Sequence, residues 1–183
     1  MEKIIRNVMM NHLTFNKLLA SEQREFVNSK NCCSNLKENF DFITREIEDG
    51  NNIDITFLNF AKAFDSVSLS KLCCKLYGYG FHSYILQRCK TFLSNRKQEL
   101  LCVNDTKIMS AITNESNSNV LQKDLNKLLD WSNKCLITFN GDMCKVMHIG
   151  KLNPQFNYKL ENHVLQKTEN ERDLGVIISN DLK

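Results

Sequence analysis

The chain has 183 residues, of which 42% are hydrophobic and 25% charged, enough for one compact globular domain with a core of its own. Its 24 basic and 21 acidic side chains leave a net charge of +3, a balance that permits a nucleic-acid partner without arguing for one. Eight cysteines include the adjacent pairs Cys32–Cys33 and Cys73–Cys74 but no C-x-x-C, so zinc-ribbon and thioredoxin chemistry lack their spacing. Cys144 and His148 have no partner pair, and buried thiols in a reducing compartment are the plainer reading. The opening MEKIIRNVMMNHL is too polar for a signal peptide or a membrane span, so the expected setting is intracellular, cytoplasmic or nuclear, without a membrane partner.

With one proline and six glycines, boundaries come from periodicity and caps. Ile4, Ile5, Val8, His12, Phe15 and Leu19 recur at helical spacing and predict a first amphipathic helix, broken by the polar residues 21–31. Leu36, Phe40, Ile43 and Ile47 mark a second helix, and Asp49-Gly50-Asn51-Asn52 a turn. Residues 54–60 are apolar on both faces, which suits a strand buried in a sheet. Ser68 caps a helix bearing Leu69, Leu72, Cys73 and Leu76, ended by Gly78 and Gly80. Another helix is predicted over 83–93 and a strand over 100–103. Residues 109–119 read as a polar loop, after which Asn119 and Gln122 resemble a capping box for a helix carrying Leu121, Leu125, Leu128 and Leu129. The tail reads as short strands over 144–149, 156–160 with a return at 164–166 through a Glu161-Asn162 turn, and 174–178. Cys144, Val146 and His148 alternate along the first of these strands and share one buried face. There is no internal repeat or long linker; the expected class is α+β in a single domain.

Periodicity says little about function; local strings say more. Residues 55–67, ITFLNFAKAFDSV, resemble the first catalytic motif of non-LTR (LINE/jockey-like) retrotransposon reverse transcriptases, with Lys62-Ala-Phe-Asp65 intact. Upstream, Gln23-Arg-Glu-Phe26 resembles the family's Gln-His-Gly-Phe, and Ser34-Asn-Leu36 its Thr-Asn-Leu. Downstream, residues 92–98, FLSNRKQ, and 101–108, LCVNDTKI, resemble a standard family segment and the Phe-Ala-Asp-Asp-Thr-Lys motif. Residues 121–125, Trp131, Phe139-Asn140, 144–150 and 173–177 are similar to the region beyond it. The resemblance spans nearly the whole chain in the family's order. It implies an incomplete palm/fingers-like fold: fingers-like helices over 1–53, palm motifs over 54–108 interrupted near 99–101, and a distal palm helix with β-hairpins over 119–183.

The implied activity is RNA-directed DNA polymerisation, nucleotidyl transfer with two magnesium ions ~3.5–4 Å apart. Two such cations repel by on the order of 17 kcal/mol at an effective dielectric of ~20, so carboxylates must offset them. The implied ligand positions here are Asn59, Asn104 and Asp105. Two of the three carry neutral amides, and Asp105 alone is left as a weak metal ligand. Asp65 lies six residues past the strand end, and Asp54, an odd five residues before Asn59, points to the opposite strand face. Between Gln98 and Leu101 the family's Gly-Val-Pro-Gln-Gly motif, a helix and a strand are missing. The expectation is therefore a degenerate, inactive polymerase fragment with no cofactor of its own, Mg²⁺ belonging to intact relatives. Lys62, Arg96 and Lys97 are candidate nucleic-acid contacts; the plainer reading of each is solvated surface. Phe60 and Phe64, which border a sugar-selecting pocket in relatives, read here as core. The alternatives are a non-catalytic RNA- or DNA-binding remnant and a truncated chain without a stable fold.

Overall fold

The computed structural model describes residues 2–19, 32–61, 67–93 and 105–182. In chain order the elements are α1 (Glu2–Phe15), α2 (Cys32–Glu48), β1 (Asn52–Ala61), α3 (Leu69–Gly78), α4 (Ser83–Leu93), β2 (Asp105–Ile112), α5 (Glu115–Cys135), β3 (Thr138–Phe139), β4 (Lys145–Ile149), β5 (Lys159–Leu160), β6 (His163–Val164), β7 (Gln166–Lys167), β8 (Asn170–Asp173) and β9 (Val176–Ser179). This is a mixed α+β chain. It divides into two compact units, residues 1–37 with 67–100 and residues 38–66 with 101–183. No helix among the described residues is long and apolar enough to cross a membrane.

In the first unit, α3 starts where the Ser68 hydroxyl accepts the Lys71 N–H, and Gly80 follows it at φ +86°. Leu69, Leu72, Cys73 and Leu76 form its half-buried stripe; Ile85, Leu86 and Cys89 form that of α4. The predicted face of α1 is displaced. Ile5, Met9, Met10, His12 and Leu13 are half-buried, whereas Ile4, Val8 and Phe15 are exposed, Phe15 by 87%. His12 fixes the rotation: its Nε2 lies 2.7 Å from the Tyr79 carbonyl and its ring 4.7 Å from that of Phe81. The helix stops before Leu19 because Lys17 adopts φ +52° and the Leu18 N–H turns back to the Leu13 carbonyl. Phe81 is the one fully buried apolar side chain among this unit's described residues.

The second unit is built on a sheet in the order β2-β1-β4-β7, with β3 continuing along the end of β1. β1 is antiparallel to both neighbours, and β4 runs parallel to β7. As its composition demands, β1 is covered on both faces. Leu58, with Val146 and Cys144, packs under Leu121 and Leu125 of α5 and against Tyr158, Leu160 and Leu165. Ile53 and Ile55, with Met147 and Ile149, pack against Ile43 of α2 and Ile178 of β9. Both faces of β4 are therefore buried, not only the one holding Cys144 and Val146.

Several boundaries differ from the sequence reading. Residues 109–112 are not loop but the end of β2, paired with Ile55 through Asn52 of β1. α5 begins five residues before the expected cap: Asn114 accepts the Asn117 N–H, the Asn117 side chain returns the bond, and Ser118 is already buried. Leu174 lies in a turn, with φ +49° beside Gly175 at +92°, so β9 starts at Val176. The Glu161-Asn162 turn joins β5 to β6 as expected, although residues 156–158 are not in a strand. The predicted strand over 100–103 lies outside the described residues.

Candidate functional site at the end of the central strands

The antiparallel register of β1 and β2 sets Asn59 directly opposite Asp105. Asn59 is half-buried near the end of β1, where the main chain is firmly held. Its N–H points at Cys144 Sγ, 3.5 Å away, and its carbonyl accepts the Asn140 N–H at 2.8 Å. Immediately beyond, Phe60 pairs with Phe139 of β3, stacks on its ring at 4.5 Å and meets Trp131 edge-on at 6.4 Å. Phe60 is thus packed within the second unit, as the sequence suggested. Asn104, Lys62, Arg96, Lys97, Phe64 and Asp65 lie outside the described residues.

Two residue pairs back along β1, Phe57 stands opposite Lys107 of β2 on one side and Lys145 of β4 on the other. The two lysines do not stay free. Lys107 pairs with Asp173, and Lys145 pairs with Glu171 at 2.6 Å, where Thr168 Oγ1 also donates to Glu171. Both acids come from β8, so the β8–β9 hairpin is tied across this row of the sheet by two largely buried ion pairs. Sequence reasoning missed these four residues. No local signal announces them, since each partner comes from a distant strand.

The opposite face explains Asp54. It is fully buried and accepts from three side chains. Its Oδ1 accepts His148 Nδ1–H at 2.6 Å and Asn153 Nδ2–H at 2.8 Å, and its Oδ2 accepts the Tyr158 hydroxyl at 2.5 Å. Burial first, and the bond to Asp54 second, push the Tyr158 phenol far above its ordinary range. Burial likewise raises the Cys144 thiol, with the Asn59 backbone opposing. His148 Nε2 is buried without a hydrogen-bond partner among the described residues. Asp54 is therefore an internal acceptor committed to the core, on the other side of the strand from Asn59.

The donors at the strand ends do not fit a pair of divalent cations. Asn59 supplies an amide oxygen with no net charge, the residue at 104 is a second amide, and only position 105 is a carboxylate. Among the described residues no three His, Cys, Asp or Glu side chains gather closely enough to hold a metal ion. Against protein-family models, curated proteins and solved structures, the chain has no match.

Proposed function

We propose that this chain is a degenerate fragment of an RNA-directed DNA polymerase of non-LTR retrotransposon type, with an incomplete palm-like fold and no polymerase activity. The observation that supports this reading is the pairing of Asn59 with Asp105. The two strings that resemble the family's catalytic motifs lie far apart in sequence, yet they run side by side as the central strand and its neighbour, with the implied ligand positions at the same end. The same pairing accounts for the loss of activity. A polymerase needs converging carboxylates there to hold two ions ~3.5–4 Å apart, and an amide lacks the charge to offset their repulsion. Loss of the segment between Gln98 and Leu101 compounds the defect, because that segment supports template and incoming nucleotide in relatives. Primer extension tests the proposal. Purified protein given primer–template, deoxynucleotides and Mg²⁺ or Mn²⁺ is expected to add no nucleotide; extension that disappears in Asp105→Ala refutes it.

A further inference from the structure

We propose that Cys73 and Cys89 form a reversible disulfide that ties α3 to α4 under oxidising conditions. The two helices are packed together and joined by the short turn over 79–82. In an antiparallel helical hairpin, residues equally far from the turn stand opposite each other. Leu76 falls level with Ile85 and Leu86 on this count, and Cys73 falls level with Cys89. Both cysteines sit on the half-buried stripes of their helices, and both are free thiols. Packed helix axes lie ~8–10 Å apart and each Cα ~2.3 Å from its axis, so facing residues bring their Cα atoms to about 3.5–5.5 Å. A disulfide spans roughly 4.4–6.8 Å. Cys74, about 100° further round α3, is exposed and turned away.

The local chemistry agrees. Burial raises the Cys89 thiol, and the charge of Cys73 across the helix pair adds to it. Met9 of α1 completes a soft sulfur patch, its Sδ 4.0 Å from Cys89 Sγ. Cys89 yields thiolate reluctantly, so the opening attack falls to Cys73. With a low-molecular-weight disulfide such as oxidised glutathione as oxidant, the Cys73 thiolate displaces one glutathione, which takes up the released proton, and a mixed disulfide forms. The Cys89 thiolate then attacks the Cys73 sulfur and expels the second glutathione. Two protein thiols are oxidised, one external disulfide is reduced to two thiols, and excess reduced glutathione reverses both steps. In a unit with one fully buried apolar side chain among its described residues, such a link acts where packing is thin.

The test is thiol exchange on the full-length chain in glutathione buffers, followed by alkylation of remaining thiols and peptide mapping. The first intramolecular link is expected to join Cys73 to Cys89. It should form at an unchanged rate in Cys74→Ser and at least about tenfold more slowly, through Cys74, in Cys73→Ser, because a disulfide demands specific geometry. In urea the two variants should become equal, which separates folded geometry from mere closeness in sequence. In the folded wild-type chain, equal yields of the Cys73 and Cys74 links, or glutathione adducts that never resolve, overturn the proposal.

Discussion

Replacing Asp54 with alanine removes the acceptor on which the interior of the second unit converges. Three side chains lose a bond, but unequally. Asn153 Nδ2 keeps the carbonyls of Ile53 and Ile149 within 3.2 and 3.3 Å, whereas His148 Nδ1 and the Tyr158 hydroxyl lose the carboxylate they face, the phenol keeping only the neutral Ser118 hydroxyl beside it. Losing such a partner costs a buried polar group roughly 1–3 kcal/mol, so the two losses cost about 2–6 kcal/mol. That is a large share of the ~5–15 kcal/mol that holds a typical domain together. Urea unfolding followed by the fluorescence of Trp131, the chain's one tryptophan and a residue of α5, reads this unit directly. Tyr158→Phe removes a single bond and is expected to cost less, about 1–2 kcal/mol. The two substitutions should couple by at least ~0.5 kcal/mol in a double-mutant cycle. A loss below about 1 kcal/mol for Asp54→Ala would show that the carboxyl is not the organising acceptor described above.

Alkaline pH is expected to destabilise the second unit. Folding raises the pKa of both Tyr158 and Cys144, so the folded state holds these protons more tightly than the unfolded state. Their contribution is full below the ordinary thiol value of ~8.5, declines as pH rises from there, and declines more steeply above the ordinary phenol value of ~10. Melting temperature against pH checks this, and Tyr158→Phe should flatten the upper part of the curve; a rise in stability above pH ~10 would contradict it. Lys107→Met strips Asp173 of its largely buried partner and is expected to cost roughly 1–3 kcal/mol. By contrast, Lys127→Met breaks an exposed pair with Asp124 on α5 and should stay within about 0.5 kcal/mol in the same urea assay. Equal effects from the two lysines would mean that the hairpin does not depend on its ion pairs.

How much was legible in the sequence depends on how local each signal is. β1 was legible because an apolar run closed to both faces has few other uses, and the turn at Glu161-Asn162 because its chemistry is confined to two residues. The face of α1 was not. Ile4, Ile5, Val8, Met9, Met10, Leu13 and Phe15 cover most of the helix, so periodicity offers more than one stripe and only the contacts of His12 choose between them. The start of α5 was misplaced because asparagine and serine serve loops and helix caps alike. The mixed α+β class followed from the order of elements. Parity set Asn59 and Asp54 on opposite strand faces, but that Asp54 gathers His148, Asn153 and Tyr158 depends on residues 94 to 104 positions away. A carboxylate inside an apolar strand was the available hint, since such a group must find buried partners. The lysine–acid pairs offered none, because ordinary charged side chains look alike until the sheet brings them together. The opposition of Asn59 and Asp105 is likewise a property of register, which one strand's sequence does not specify alone.

Counting bound Mn²⁺ shows whether the ends of β1 and β2 carry enough negative charge to hold two divalent ions. Titration of the wild-type chain with Mn²⁺ in the presence of primer–template and nucleotide, read by the electron-spin resonance of the free ion, should show no paired binding beyond that of Asp105→Ala. Two ions bound together by the wild-type chain, and lost in Asp105→Ala, would contradict the charge deficit proposed there.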